Sequence, residues 1–171
     1  MRCAPLARSA PLSTDDPLVA TLLSEHAELR RHSLDALTLA ERVASGEPVT
    51  RVRREARRLL DVVPALHAEH EAREHQLLPW VAGSSTDVDE ALEVLARQRS
   101  LVASVVDEAR EHWRRLALGA PLADAKALVR AMRRLDVTLE LHFALEEARV
   151  LPALGGADSV PWAEFEPVPS A

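Results

Sequence analysis

The 171-residue chain is long enough to bury a hydrophobic core as one domain, since 47% of its residues are hydrophobic and 28% are charged. Five glycines, two phenylalanines and the absence of tyrosine disfavour a β-rich protein, so we predict an all-α fold. The formal net charge of -6 disfavours a nucleic-acid-binding protein, and the single cysteine, Cys3, excludes an intramolecular disulfide framework.

The sequence also argues against export and membrane attachment. Residues 1–14 lack the continuous apolar run of a signal peptide, and no later stretch is long and apolar enough to span a membrane. The lone cysteine suits a reducing compartment. We therefore expect a cytoplasmic protein with no membrane partner and no nucleic-acid partner.

Two amphipathic helices are predicted in the first half of the chain, after an N-terminal arm over residues 1–14. The first helix starts at a run of capping residues and an early proline over residues 13–17 and ends near Ala44. The second runs from about residue 48 to residue 78, just before Pro79. Polar side chains interrupt the apolar stripes of these helices at His26, His70 and Glu74.

Two further helices follow. The third begins at Thr86 or Asp87 and ends near Leu116, and the fourth runs from about Pro121 to Leu151. The stripe of the fourth helix has the spacing of a helix face that packs into a bundle core and consists of Leu128, Met132, Leu135, Leu139, His142 and Glu146. Because an ionised carboxylate is costly to bury alone, a metal ion is one positive partner that would suit the end of this stripe.

Four amphipathic helices with short connections predict an up-down-up-down antiparallel four-helix bundle over residues 15–154, followed by an irregular C-terminal tail over residues 155–171. At a rise of roughly 1.5 Å per residue along each helix, His26, His70 and His142 then lie in one layer of the bundle. Each of the two glutamates follows a histidine by four residues, which places it one turn away on the same face. On the third helix the same layer contains Gln98 rather than a histidine.

These residues resemble the hemerythrin-like, or HHE cation-binding, domain family, and the resemblance covers about residues 17 to 152. It is carried by Glu25-His26-Ala27-Glu28-Leu29-Arg30, by His70-Glu71-Ala72-Arg73-Glu74 with Pro79, and by His142-Phe143-Ala144-Leu145-Glu146-Glu147 with Pro152. The resemblance implies a pair of iron ions bridged by carboxylates. It implies the metal ligands His26, His70, Glu74, His142 and Glu146.

The chain departs from the family pattern in the third helix, where members supply a histidine and this sequence has Gln98. A site with two metals, one metal or none therefore stays open. Some relatives use the carboxylate five residues after the last histidine, which here is Glu147. His67 could be a substitute ligand, or it could contact a ligand without binding the metal itself. We expect His75 and His32 to face solvent.

Three functions follow from this sequence. Imidazole and carboxylate together suit iron, and also manganese or zinc, better than magnesium or calcium. The leading hypothesis is a non-haem iron protein that binds or senses dioxygen, nitric oxide or peroxide, or holds iron, and is not an enzyme. The alternatives are a peroxide-decomposing redox enzyme on the same site and a metal-free helical interaction module, because a single core histidine is often only structural. The sequence leaves the oligomeric state open.

Overall fold

A computed structural model describes residues 17–119 and 122–155, and within them every regular element is helical. Four long helices account for most of these residues: α1 (Pro17–Ala44), α2 (Val49–Leu77), α3 (Thr86–Ala117) and α4 (Leu122–Leu145). The all-α prediction is confirmed. The predicted arm over residues 1–14 lies outside the described residues, as does the predicted tail apart from Gly155.

Local sequence explains where the long helices begin and end. Gly46 and Gly119 follow α1 and α3 with φ values of 101° and 90°, a backbone conformation that glycine adopts without a steric penalty. Ser85 caps α3, because its hydroxyl accepts a hydrogen bond from the Val88 N–H at 3.2 Å. After α2, a 3-10 turn forms over Leu78–Trp80.

The end of the fourth helix differs from the prediction of one continuous α-helix to Leu151. A π-helical turn over Glu146–Val150 separates α4 from a short helix, α5 (Leu151–Gly155). The Leu151 N–H donates to the Glu146 carbonyl, five residues back, instead of to the carbonyl four residues back. This extra residue per turn changes the directions in which Glu146 and Glu147 project. Such turns often occur at functional sites.

The interior contains two apolar clusters. The larger cluster includes Leu29 of α1, Val63 of α2, Val102 of α3 and Leu139 of α4. The smaller includes Leu22, Leu77, Leu95 and Leu151. Between the two clusters, the helices carry histidine, glutamate, glutamine and arginine side chains. These side chains form a polar layer that separates the two apolar regions.

Contacts between helices are consistent with the expected bundle. α4 packs against both α1 and α3, and α2 packs against α1. Ion pairs join Arg30 to Glu140 at 3.0 Å and Glu41 to Arg133 at 2.7 Å, so α1 and α4 meet with residue numbers rising in one and falling in the other. Within residues 17–119 and 122–155, no helix has both the length and the apolar character needed to cross a membrane.

Candidate metal centre

The polar layer brings side chains from all four long helices together between the two apolar clusters. Its buried members are His26 of α1, His70 and Glu74 of α2, and His142 and Glu146 at the end of α4, and none is more than 2% exposed. From α3 the layer receives Gln98 and Arg99. Solvent therefore contributes little to the solvation of these groups, and their partners decide their charge states.

Glu146 lies at the centre of the layer, because the Nε2 atoms of three histidines point toward one of its oxygens. Its Oε2 atom is 3.2 Å from His26 Nε2, 3.6 Å from His70 Nε2 and 4.0 Å from His142 Nε2. The π-helical turn that begins at Glu146 directs its side chain into the interior. Only the shortest of the three contacts is a hydrogen bond, so the cluster is looser than a closed hydrogen-bond network.

The Glu25 carboxylate contacts the ring nitrogen of His70 that faces away from Glu146. His70 Nδ1 lies 3.1 Å from Glu25 Oε2, and Glu25 Oε1 accepts a hydrogen bond from Arg73 Nε at 2.7 Å. Because an ionised carboxylate only accepts hydrogen bonds, Nδ1 carries the hydrogen and Nε2 faces inward. In metal sites, this carboxylate–imidazole pairing orients the ligating nitrogen.

His26 has the same arrangement on the other side of the layer. Its Nδ1 lies 2.8 Å from Glu147 Oε1, which also accepts a hydrogen bond from Arg30 Nη1 at 2.9 Å. The adjacent residues Glu146 and Glu147 thus contact opposite nitrogens of one imidazole. His26 and His70 are each held by an arginine–carboxylate pair while Nε2 faces Glu146.

Glu74 links the histidine of α4 to the arginine of α3. Its Oε1 atom is 3.3 Å from His142 Nε2, and its Oε2 atom accepts a hydrogen bond from Arg99 Nη1 at 3.3 Å. The neighbouring Gln98 has a buried Oε1 atom with no hydrogen-bond partner among the described residues. The helix that lacks a histidine in this layer therefore contributes a guanidinium group.

Phe143 closes the layer on the side of the larger cluster. Its ring is stacked on His26 with centroids 4.2 Å apart, and it meets the rings of His70 and His142 edge-on at 5.6 Å. The guanidinium of Arg30 lies over the Phe143 ring, 5.1 Å from its centroid. These contacts restrict the imidazole orientations and give the layer an apolar wall.

The charges of the layer shift two pKa values strongly. Burial opposes the charged form of His70, but its contacts with Glu146 and Glu25 outweigh burial and raise the pKa of His70 to about 9. Burial likewise opposes the charged form of Glu146, and the surrounding His26 and His70 lower the pKa of that carboxyl to about 2. Without a metal, a proton on His70 thus balances the Glu146 charge at neutral pH.

Four of these residues could hold a metal ion. One ligand atom from each of His70, Glu74, His142 and Glu146 lies within 4.8 Å of all the others. Among the described residues, each of the four also has a buried polar atom without a hydrogen-bond partner: His70 Nε2, Glu74 Oε1, His142 Nδ1 and Glu146 Oε1. Ligands about 2.1 Å from a tetrahedral ion lie roughly 3.4 Å apart, close to the 3.3 and 3.6 Å separations in this group. The residues present fit a metal ion.

The remaining predicted ligands occupy different places. His26 contacts Glu146 but is not one of the four, and Glu147 is 26% exposed and binds His26 and Arg30. The buried Oε1 of Gln98 has no hydrogen-bond partner among the described residues. The roles of these three residues as ligands stay predictions. His67 is buried but is not one of the four either, and burial lowers its pKa.

The prediction for the two outlying histidines was right for one of them. His75 is exposed and its Nδ1 lies 2.8 Å from the Glu71 carbonyl oxygen. His32 is only 6% exposed, so its expected exposure was wrong. It lies beside Ser33, which is also buried in α1, and Glu28 and Asp35 flank its ring at 3.6 and 4.0 Å.

The supporting charges were not found from the sequence. Arg99 directly follows Gln98, the α3 residue predicted at this level, and its longer side chain reaches Glu74. Glu25 and Arg73 were visible as members of the two resembling motifs, but their pairing depends on how α1 meets α2. Arg73 and Arg99, adjacent to Glu74 and Gln98, and Arg30, one helical turn after His26, are the signals that could have suggested these pairs.

The chain was compared with protein-family models, with curated proteins and with solved structures, and none of the three comparisons found a match. The functional argument therefore depends on the geometry of the polar layer.

Proposed function

We propose that the protein is a hemerythrin-like non-haem metal protein, with iron as its metal, built as an up-down-up-down antiparallel four-helix bundle. The observation that carries the proposal is the convergence of three imidazole Nε2 atoms on one buried oxygen of Glu146, at 3.2 to 4.0 Å. In a layer that served only packing, we would not expect these nitrogens, or carboxylate oxygens without a hydrogen-bond partner, to be buried.

The donor set supports a transition metal. Two imidazoles and two carboxylates fit iron, manganese or zinc, and a histidine–carboxylate set with an open position is typical of non-haem iron. The outer pairs, Glu25 with Arg73 and Glu147 with Arg30, match the arrangement that fixes ligating histidines in metal proteins.

Each residue has a defined part in this proposal. His70, Glu74, His142 and Glu146 hold the ion, and His26 contributes either as a further ligand or by orienting Glu146. Bound iron would supply redox chemistry and an exchangeable position for dioxygen, nitric oxide or peroxide. Phe143 and the apolar clusters exclude bulk water from the layer. The protein's task is then to bind or sense such a small ligand, or to hold iron.

Metal analysis tests the proposal directly. The metal-free chain is incubated anaerobically with ferrous iron, passed over a desalting column and analysed for bound iron. We expect retention by the wild type and by His75→Ala, a control on an exposed histidine of the same helix, and loss from His142→Ala. If the wild type retained no iron, or if His142→Ala retained as much as the control, the proposed iron site would be abandoned.

One observation favours a metal-free helical interaction module instead. Three arginines already neutralise three of the carboxylates in and around the layer, and a proton on His70 can serve Glu146. In that case a chelator would leave the melting temperature of the purified protein unchanged. A metal-supported layer loses stability on chelation, because an ion that binds only the native state adds to the free energy of unfolding.

A further inference from the structure

Arg99 of α3 forms an ion pair with Glu74, a member of the metal-binding group. Its side chain is 13% exposed, while that of its partner Glu74 is 1% exposed. Arg99 Nη1 donates a hydrogen bond to Glu74 Oε2 at 3.3 Å. The other oxygen, Oε1, lies 3.3 Å from His142 Nε2. Glu74 therefore has only one oxygen free for an ion.

The charges around the layer are nearly balanced before any metal is added. The carboxylates are Glu25, Glu74, Glu146 and Glu147, and three of them have an arginine partner: Arg73 for Glu25, Arg99 for Glu74 and Arg30 for Glu147. Only Glu146 has no arginine partner among the described residues. With the imidazoles neutral, as metal binding requires, and apart from the surface residue Glu140, which Arg30 also contacts, one net negative charge remains.

A single divalent ion reverses the sign of this balance, and a second would add two more positive charges to a buried layer. Di-iron bundles of the ferritin-like type avoid this by drawing a carboxylate from each of four helices. Here α3 supplies a cation at that position. Burying uncompensated charge is costly, so the arrangement favours a single ion.

We infer that Arg99 is the counter-charge of Glu74 in place of a second metal ion, and that it limits the layer to one ion. The inference depends on the proposed metal-binding function and adds to it the number of ions and the residue that sets this number. In the metal-free state Arg99 stabilises the Glu74 carboxylate. When an ion binds, the guanidinium and the ion compete for the same carboxylate charge, so Arg99 weakens metal binding.

Cobalt(II) is a suitable probe, because its visible absorption reports occupancy and ligand number. The full chain is freed of metal and titrated with cobalt(II) as wild type, Arg99→Gln, Arg99→Lys and Arg97→Gln. Arg97 is the matched control: it lies on the same helix, is 70% exposed and forms an ion pair with Glu93 at 3.9 Å. Circular dichroism of each metal-free protein verifies that it is folded.

We expect one cobalt ion per wild-type chain and at least about tenfold tighter binding by Arg99→Gln, because a positive charge near the ion is removed. Arg99→Lys keeps the charge and binds like the wild type, as does Arg97→Gln. Two tightly bound ions in the wild type would overturn the inference whatever the variants do. One ion with unchanged or weaker binding by Arg99→Gln would overturn it while leaving the proposed metal site intact. Absence of binding by the wild type would remove both.

Discussion

The larger apolar cluster and the polar layer differ in how completely they are satisfied. The cluster is built mainly from aliphatic side chains, which need no polar partner, and also includes Trp113 and Phe143. In the layer, five side chains have a buried oxygen or nitrogen without a hydrogen-bond partner: His70, Glu74, Gln98, His142 and Glu146. Folded proteins contain few such atoms, so we expect the cluster to contribute mainly stability and the layer to serve the proposed metal binding.

The largest effect should come from the cluster and be independent of metal. Leu128 is fully buried, so Leu128→Ala should lower the free energy of unfolding by about 2–5 kcal/mol through lost contacts and a cavity. Urea titrations of the metal-free and metal-loaded protein should give the same loss. A loss that depends on metal would mean that the two regions are not separate.

A substitution in the layer should instead act through metal. Glu146→Gln keeps the shape of the side chain but removes the charge on which the three histidines converge. The wild type should gain about 4 kcal/mol at a metal concentration near 1,000 times Kd, and Glu146→Gln should gain almost nothing. Glu147→Gln, next in the chain and 26% exposed, should keep most of the gain. An equal response of both variants to metal would contradict the assignment of Glu146 as the ligand.

The contrast between the regions also explains what could be predicted from the sequence. Helical spacing indicated the apolar stripes, and glycines and Ser85 mark helix ends, because these are local properties. Counting residues along straight helices placed His26, His70 and His142 at one level, which the structure bears out.

The rest depended on features that a straight-helix count omits. The π-helical turn at Glu146–Val150 changes the direction of Glu146 relative to Glu147, and no residue type in that segment signals it. On the α3 side of the layer, Arg99 rather than Gln98 binds Glu74, because the length of a side chain matters as well as its position on the helix. The burial of His32 likewise depends on packing between helices and not on its position in the stripe.

The pH dependence of stability should separate the regions again. The pKa of His70 rises from 6.5 to about 9 on folding, so its stabilising contribution is complete below pH 6.5 and is lost as the pH rises to 9. The pKa of Glu146 falls from 4.5 to about 2, so its contribution is present above pH 4.5 and is lost toward pH 2. Metal-free protein should thus be most stable between about pH 4.5 and pH 6.5, which thermal unfolding at several pH values can show.

Metal should remove the alkaline part of this dependence. A ligating imidazole must lose the proton that His70 otherwise keeps, so metal binding near pH 7.5 should release protons into a weakly buffered solution. Calorimetry in buffers of different ionisation enthalpy measures this release. Binding without proton release, or an unchanged alkaline decline in the metal-loaded protein, would argue against His70 as a ligand.

The smallest effect on stability is expected from the outer support of the layer. Glu25→Ala should lower the free energy of unfolding by about 1–2 kcal/mol, because the buried Nδ1 of His70 loses its acceptor, and should weaken metal binding about 10- to 100-fold by freeing His70 to rotate. Glu28→Ala, one turn along and 47% exposed, is the control. Competition with a chelator measures both affinities, and equal values for the two variants would show that Glu25 does not orient His70.

The central claim is that the histidines and glutamates of the polar layer bind the metal themselves. X-ray absorption at the iron edge of iron-loaded protein tests it most directly, because coordinated imidazole rings produce a distinctive multiple-scattering pattern. The account predicts imidazole scattering from at least two histidines, oxygen ligands near 2.0 to 2.2 Å as roughly expected for carboxylates, and no iron–iron distance. A shell of oxygen ligands without imidazole scattering would contradict it.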